Sequence, residues 1–381
     1  LFHVVCFMLY EKMNNTQAKY DRILIFTVFA LLIFGLIMIA SAGVVYSQSR
    51  FGDQYHFFKR QLLFGILPGL FACYLCQKID YHYWKKISVP LFFISLVGLV
   101  LVFVPGLGNK LYGASRWLQL GPVSFQPSEM AKLGIIIYLA AWLESRGGYR
   151  IRDFFEGFVP FIGIMAVIGF LIIKQPDMGT LGVIISTMLI MFFSSGSRLS
   201  HLFWMAIAGL SAFFILIKIE PYRFNRLMIF LNPDLDPRGI GYHINQALLA
   251  VGSGGILGLG LGHSRQKFYY LPEPVGDSIF AIIGEELGII GAVLLVSLFL
   301  MFALRGFKIS KNSPDDFGKL LGIGITSWVV VQAFINISAI TAIIPLTGVP
   351  LPFISYGGTS IVFLMAGIGI LLNISKQARL E

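Results

Sequence analysis

Ten long apolar segments constrain what this chain can fold into. A membrane-spanning helix needs about 20 mostly apolar residues. The segments that match or nearly match this length are 23–45, 61–77, 87–104, 127–143, 157–173, 180–194, 201–219, 278–304, 317–341 and 355–374. A soluble protein carries roughly one quarter charged residues, whereas here the charged fraction is 13%. The sequence therefore predicts an all-α polytopic membrane protein, with about ten transmembrane helices in one domain over residues 1–381.

The distribution of Lys and Arg predicts how the chain is oriented. Short loops on the cytoplasmic side of a membrane are enriched in these residues, and the loops on the side of the N-terminus hold most of them. We therefore expect both termini inside, with residues 1–20 as a cytoplasmic tail. We also expect residues 1–12 to be an extension upstream of a start at Met13. The only long polar segment, residues 220–277, becomes an extracytoplasmic loop between helices 7 and 8, and residues 224–231 and 243–251 within it predict short amphipathic helices. Two shorter outer loops, residues 105–127 and 344–360, are predicted to be irregular.

The net charge of +10 does not indicate nucleic-acid binding. A nucleic-acid surface combines a basic face with exposed aromatic residues, and no basic run here is interleaved with aromatic residues on a water-soluble face. Cys73 and Cys76 form a Cys-x-x-Cys inside an apolar segment, without a second pair nearby. We interpret them as packing residues rather than metal ligands.

Asp277 is the last acidic residue before the eighth apolar segment. A carboxylate at the edge of the hydrocarbon is costly, so it needs either a partner or a function. Gly276-Asp277-Ser278 is typical of a helix N-cap, where Asp stabilises by about 1 kcal/mol. A partly desolvated carboxylate also becomes more basic. Both interpretations, a cap and a catalytic or ion-binding group, are open at this point.

Other charged residues lie inside or beside apolar segments. Glu129 and Lys132 are three residues apart, on one helix face, so they can pair. Glu285 and Glu286 follow Asp277 by about two helical turns, where at least one must face a polar cavity or a cation. Asp177 follows Lys174 in a predicted turn. The glycine-rich run 254–262 lacks a phosphate-binding motif and predicts a flexible or tightly packed segment.

The outer loops carry cations that suit an anionic lipid substrate, because Arg side chains bind phosphate well. For a sugar on a lipid pyrophosphate, the leaving group needs charge neutralisation but no general acid. A single carboxylate can then deprotonate the acceptor hydroxyl, and in-line attack inverts the anomeric centre. The available cations are Arg116, Arg223, Arg226, Arg238, Arg265 and Lys267.

An ordered set of motifs along the whole chain resembles one family. The motifs are Phe58-Lys59-Arg60-Gln61, Ser115-Arg116-Trp117, Phe125-Gln126-Pro127-Ser128-Glu129-Met130-Ala131-Lys132, Gln175-Pro176-Asp177-Met178-Gly179-Thr180, Gly260-Leu261-Gly262-His263-Ser264-Arg265-Gln266-Lys267, Tyr270-Leu271-Pro272-Glu273, Glu285-Glu286-Leu287-Gly288 and Pro350-Leu351-Pro352-Phe353-Ile354-Ser355-Tyr356-Gly357-Gly358. Together they resemble the SEDS family, which comprises the FtsW, RodA and SpoVE membrane proteins.

The resemblance implies a peptidoglycan glycosyltransferase that polymerises lipid II and works with a class B penicillin-binding transpeptidase. It places the catalytic carboxylate on Asp277, the intramembrane ion pair on Glu129 and Lys132, and the loop arginine on Arg116. A Mg²⁺ or Mn²⁺ ion at Asp277 is compatible with it. The further residues expected at the substrate are Trp117, Gln126, Ser128, Asp177, Arg265, Lys267, Glu273, Ser355 and Tyr356.

The motifs at residues 263–267 and 274–281 favour the division branch, FtsW, over the elongation branch, RodA; the sporulation branch stays open. The division branch implies the bacterial cytoplasmic membrane at the septum, undecaprenyl-pyrophosphate-linked glycan as product, and other division membrane proteins as partners. One departure is that Val275-Gly276 and Ser278 flank Asp277, where many members carry His-Thr before the Asp and Phe after it.

Two other functions compete with the enzyme. A lipid II transporter would depend most on Glu129, Lys132, Glu285 or Glu286, because intramembrane charges often lie on substrate paths. A division scaffold would need no single acidic residue.

Overall fold

The protein is mostly helical, and the computed structural model describes residues 20–111, 114–120, 123–219 and 221–378. The predicted N-terminal tail up to residue 19, with Met13, lies outside these residues. The helices are α1 (Arg22–Ala42), α2 (Val44–Phe51), α3 (His56–Gln61), α4 (Leu67–Lys78), α5 (Tyr81–Lys86), α6 (Ser88–Leu101), α7 (Pro127–Ile151), α8 (Val159–Lys174), α9 (Met178–Ser194), α10 (Leu199–Ile219), α11 (Pro221–Leu231), α12 (Ile240–Ser253), α13 (Ile279–Lys311), α14 (Asp316–Ile340) and α15 (Gly358–Gln377).

All ten predicted apolar segments coincide with helices. A π-helical turn at Leu62–Ile66 joins α3 to α4, and another at Phe154–Phe158 precedes α8. Within the described ranges, five helices are long and apolar enough to cross a bilayer. They are Arg22–Ala42, Phe154–Lys174, Ile279–Lys311, Asp316–Ile340 and Gly358–Gln377. The number of spans stays a prediction, but several apolar helices of this length make the chain a multi-pass membrane protein.

A small antiparallel sheet interrupts the helical fold between α6 and α7. Its strands are β1 (Gly108–Leu111), β2 (Ala114–Leu120) and β3 (Val123–Phe125), in the order β1-β2-β3. The sequence predicted an irregular loop here, and that prediction is wrong. The strands are short and lack a clean alternation of apolar and polar residues, so the strand signal is weak.

Two predicted amphipathic helices in the loop 220–277 are confirmed as α11 and α12. A short 3₁₀ turn, Pro233–Leu235, separates them. The glycine-rich run, residues 254–262, follows α12 and packs tightly against α13. Of the two predicted alternatives, a flexible or a tightly packed segment, the second is confirmed. Gly254 shows how tightly: a Cβ atom added there would lie 1.9 Å from the carbonyl oxygen of Gly284.

Helix α13 is broken at Gly288, whose φ of 63° is not helical. The glycine-rich run supplies partners for the backbone groups around this break. The amides of Leu259 and Gly260 donate to the carbonyls of Glu285 and Glu286, at 2.9 and 3.0 Å. Beyond the break, Ile289 N–H donates to the carbonyl of Gly255. Non-helical backbone at membrane depth is tolerated only when the protein satisfies it in this way.

The two glutamates before the break are fully buried and both have partners. Glu286 accepts hydrogen bonds from Ser41 Oγ of α1 and from Lys267 Nζ, the latter at 2.9 Å. Glu285 accepts from Ser264 Oγ and from the amide of Arg265 at 2.8 Å. The expectation of a cation beside these acids is confirmed, and the cation is Lys267. This cluster ties α1, α13 and the segment 264–267 together.

Candidate active site

Asp277 lies at the start of α13 but does not cap it. The N-cap residue is Ser278, and no side chain makes a capping hydrogen bond there. The Oδ1 atom of Asp277 is buried and has no hydrogen-bond partner among the described residues. The capping interpretation is therefore wrong, because Ser278 holds the N-cap position and no side chain caps the helix.

The backbone around Asp277 is held at three successive residues. The amide of Tyr356 donates to the carbonyl of Val275 at 2.8 Å, and Ser355 Oγ donates to the carbonyl of Gly276 at 2.7 Å. Asn336 Nδ2 of α14 donates to the carbonyl of Asp277 at 2.8 Å. We call this set of contacts the Asp277 cradle. It fixes the backbone while leaving Oδ1 of the carboxyl group without a hydrogen-bond partner.

Two residues next to the segments that contact Asp277 carry buried polar atoms without hydrogen-bond partners. Gly348 faces the carboxyl group, since a Cβ atom added there would lie 3.6 Å from Asp277 Oδ2. The neighbouring Thr347 Oγ1 and Asn336 Oδ1 are buried, and neither has a hydrogen-bond partner among the described residues. Buried polar atoms normally find partners, so such a group marks a place where a ligand or water binds.

Burial, together with the negative charge of Glu273, raises the pKa of Asp277 to about 7. The positive charge of Arg226, on α11, acts in the opposite direction. Arg226 also donates a hydrogen bond to the carbonyl of Leu346 at 2.9 Å, which places it at the segment facing Asp277. A carboxylate with a pKa near neutrality is well matched to general-base catalysis.

His243 of α12 reaches the residue after Asp277. Its Nε2 lies 2.6 Å from Ser278 Oγ, and Ser278 is completely buried. Burial, together with the positive charge of Arg226, lowers the pKa of His243 to about 4. The imidazole is therefore neutral at physiological pH.

The predicted pair of Glu129 and Lys132 is present on α7, with 2.8 Å between Lys132 Nζ and Glu129 Oε1. Lys132 also donates to Gln332 Oε1 of α14 at 2.7 Å. Gln332 Nε2 donates to the carbonyl of Pro350, and Asn336, one turn further along α14, donates to that of Val349. The pair is thus linked to the Asp277 cradle through α14 rather than by direct contact.

The structure places three predicted site residues of the large loop in different surroundings. Glu273 lies in the turn before Asp277, where its carbonyl accepts hydrogen bonds from the amides of Gly276 and Ser278. Lys267, by contrast, is buried against Glu286, so its ammonium group is already paired. Arg265 is exposed, and its amide binds Glu285. A substrate contact of its guanidinium stays a prediction.

The structure gives several other predicted substrate residues internal partners. Arg116 of β2 donates to the carbonyls of Gln175 and Pro176, and its Nε lies 3.9 Å from Asp177. Asp177 accepts from the amide of Thr180 and so caps α9. These contacts dock the sheet on the turn between α8 and α9.

Three further predicted residues belong to the sheet and to the start of α7. Trp117 is half-buried on β2, opposite Asn109 of β1. Gln126 is the N-cap residue of α7. The Oγ of Ser128 is buried with no partner among the described residues. Substrate contacts at these positions stay predictions.

Sequence reasoning missed His243, Gln332 and Asn336. The sequence did carry a signal for Gln332 and Asn336. Side-chain amides four residues apart in an apolar helix lie on one face and need partners. His243 gave no comparable signal, because it lies in an amphipathic helix of the loop rather than in an apolar helix.

The described residues contain no group of three or more His, Cys, Asp or Glu side chains that could hold a metal ion. Mg²⁺ commonly keeps several waters and binds through one or two carboxylates plus substrate phosphates. Asp277 fits that mode as a single protein ligand, since its Oδ1 has no protein partner.

Comparison with known families identifies the fold. Residues 22–380 match the profile of the FtsW/RodA/SpoVE family of cell cycle proteins. The chain belongs to this family. The relatives it resembles include a sporulation protein and several proteins named as probable peptidoglycan glycosyltransferases. It is 42% identical to "Stage V sporulation protein E" of Bacillus subtilis, over 96% of this chain and 100% of that protein. It is 39% identical to "Probable peptidoglycan glycosyltransferase FtsW" of Trichlorobacter lovleyi, over 95% of each chain.

Solved structures of FtsW/RodA/SpoVE proteins share the fold. Thermus thermophilus rod shape determining protein RodA is 27% identical, with a TM-score of 0.69 over 95% of this chain and 98% of RodA. A chain from a structure described as "Structural coordination of polymerization and crosslinking by a peptidoglycan synthase complex" has a TM-score of 0.77 and 27% identity. The match covers 95% of this chain and 99% of that chain.

Proposed function

We propose that the protein is a peptidoglycan glycosyltransferase that polymerises lipid II, with Asp277 as the general base. One observation carries the proposal: the Asp277 carboxyl group has a buried oxygen without a partner, on a backbone held from several sides. A structural aspartate would use that oxygen for a hydrogen bond. The names of the FtsW relatives supply the reaction class.

The proposed reaction needs one base. Asp277 takes the proton of the acceptor sugar hydroxyl as its oxygen attacks the anomeric carbon of the donor. The bond from that carbon to the lipid pyrophosphate breaks, and the pyrophosphate leaves with the bonding electrons. The proton ends on Asp277, and the anomeric centre is inverted.

Arg226 and Arg265 are the cations best placed to neutralise the pyrophosphate. Arg226 lies near enough to influence the pKa of Asp277, and Arg265 is exposed in the same outer loop. Charged donors prepositioned for a leaving group stabilise the transition state without reorganisation. A bound Mg²⁺ or Mn²⁺ ion would add a further positive charge at the phosphates.

The proposal places the reaction at the outer face of the bacterial cytoplasmic membrane. It includes ten transmembrane helices, both termini inside, and the loop 220–277 outside. A class B penicillin-binding transpeptidase is the proposed partner, supported by the similarity to a chain of a peptidoglycan synthase complex. Septal synthesis with other division proteins is proposed for the FtsW branch; the similarity to a sporulation protein supports a sporulation role as the competitor.

The test compares wild type with Asp277→Asn, each purified with its transpeptidase and incubated with lipid II, reading glycan chains on a gel. The Asn variant keeps the size of the side chain but cannot accept the proton, so we expect polymerisation to fall by about 10²–10⁴-fold. Asp53→Asn, an outer acidic residue paired with Lys59, is the matched control and should polymerise normally.

Equal chains from wild type and Asp277→Asn would exclude Asp277 as the base. Lipid II translocation in liposomes, without chains from either protein, would instead support a transporter. The partners already found for Lys132, Glu285 and Glu286 within the protein argue against that outcome.

A further inference from the structure

The contact between His243 and Ser278 is not explained by the fold of either element alone. Ser278 occupies the N-cap position of α13, where a serine hydroxyl ordinarily accepts a hydrogen bond from the first turn of the helix. It makes no such bond. Its Oγ lies instead 2.6 Å from His243 Nε2 of α12, across 35 residues of sequence. The hydroxyl next to Asp277 is thus used to bind a neighbouring helix.

This contact restrains Asp277 from a side that the Asp277 cradle does not cover. The cradle residues Asn336, Ser355 and Tyr356 all come from α14 and from the loop before α15. His243 approaches from α12, which packs against α13. With both sides held, the peptide that joins Asp277 to Ser278 cannot rotate without breaking one of these hydrogen bonds.

The charges around His243 favour a neutral, structural imidazole. Arg226 of α11 is the cation that acts on it, and burial disfavours its charged form. Asp277 and Glu273 lie in the segment that precedes α13. A neutral ring keeps one N–H and one lone pair, which is what a bond to a hydroxyl requires.

We propose that His243 is a positioning residue for Asp277, acting through Ser278 to fix the direction in which the carboxyl group meets the acceptor hydroxyl. The inference rests on the proposed function of Asp277. A misplacement of about 1 Å can reduce catalysis by about 10²-fold even when binding is intact. A positioning role therefore predicts an effect on kcat rather than on KM.

The test measures kcat and KM for lipid II, together with the thermal midpoint Tm, in three single variants and one double variant. His243→Phe keeps a ring but removes the hydrogen bond, Ser278→Ala removes its partner, and His243→Gln returns a polar nitrogen at a similar reach. We expect His243→Phe and Ser278→Ala each to lower kcat by about 10- to 100-fold, at unchanged KM. Because both remove the same contact, the double variant should lose no more than either single variant.

We expect the kcat of His243→Gln to lie within about threefold of wild type. A purely packing role of His243 would not give this recovery. Leu249→Ala, on the exposed face of the same helix, is the matched control and should keep both constants. If His243→Phe fails to fold, Ser278→Ala and His243→Gln still decide the question.

Normal kcat in His243→Phe or Ser278→Ala, or additive losses in the double variant, would overturn the positioning role. Glycan chains made by Asp277→Asn would overturn the proposed function instead. The two failures are therefore distinguishable in one set of assays.

Discussion

Asp277 shows how the environment decides the use of a residue. Its sequence context, Gly276-Asp277-Ser278, is typical of a helix cap, yet Ser278 is the N-cap residue and binds His243. The carboxyl group is left with a buried oxygen that the protein does not use. This group costs stability when ionised, and such a cost is characteristic of functional sites.

The raised pKa of Asp277 predicts the pH dependence of the reaction. A base acts only when deprotonated, so kcat/KM should be high above pH 7 and fall as pH decreases through about 7. Glu273→Gln removes a negative charge that raises this pKa, so the acidic limb should move to lower pH. Initial rates of wild type and of Glu273→Gln, measured from pH 5 to 9, test both expectations. An unchanged limb in Glu273→Gln would show that the titrating group is not Asp277.

The same shift has a consequence for stability. A carboxyl group whose pKa is raised in the folded state binds more protons folded than unfolded, so its ionisation destabilises the fold as pH rises from about 4 to about 7. Asp277→Asn removes this cost. We expect its Tm at pH 8 to equal or exceed that of wild type in detergent, while at pH 4 the two proteins should be similar. A clearly lower Tm at pH 8 would instead assign Asp277 a structural role.

Helix α13 shows which elements could be predicted and which could not. Hydropathy predicted its position well, because a run of apolar residues is a strong signal for a membrane helix. The break at Gly288 was not predicted, since glycines at small-residue spacing are equally typical of close helix packing. The neighbour that approaches is the glycine-rich run rather than a helix. This neighbour was not predicted, because no local sequence pattern encodes the contact between residues 255–260 and 285–290.

The packing of the glycine-rich run against α13 predicts a large difference between two glycines. Gly258 and Gly262 have similar φ angles, 79° and 82°. A Cβ atom at Gly258 would lie 2.2 Å from the carbonyl oxygen of Glu286, whereas at Gly262 it would meet nothing within 4 Å. Gly262→Ala isolates the backbone strain, of about 1–3 kcal/mol. Gly258→Ala should destabilise by a further 1–3 kcal/mol or so.

Thermal unfolding of the two variants in detergent measures this difference. Equal Tm values would show that the run does not pack against Glu286 as described.

In the folded molecule, residues that are distant in sequence lie together around Asp277. The sequence predicted Asp277, Ser355 and Tyr356 as site residues through their motifs, and the structure places all three together. Arg116 and Lys267 were also expected at the substrate, but they are held by internal partners. A sequence motif does not say whether its residues serve the substrate or the fold, because that distinction depends on tertiary contacts.

The proposed topology predicts opposite accessibility for two exposed tyrosines. Tyr270 lies in the loop 220–277, and Tyr149 lies at the end of α7, with 92% of its surface exposed. In a background with Cys6, Cys73 and Cys76 replaced by Ala, Tyr270→Cys should react with a membrane-impermeant maleimide in intact cells. Tyr149→Cys should react only after permeabilisation. The reverse pattern would invert the orientation.

If Asp277 is the base, the Asp277 cradle also determines when during synthesis the protein can first catalyse transfer. Ser355 lies 79 residues after its partner Gly276, so the ribosome delivers the carboxylate to the membrane well before the loop that orients it. Nascent chains that stop after α14 carry the aspartate without Ser355 or Tyr356. The last loop and α15 are therefore a completion step, and a prematurely terminated chain is expected to insert without catalysing transfer.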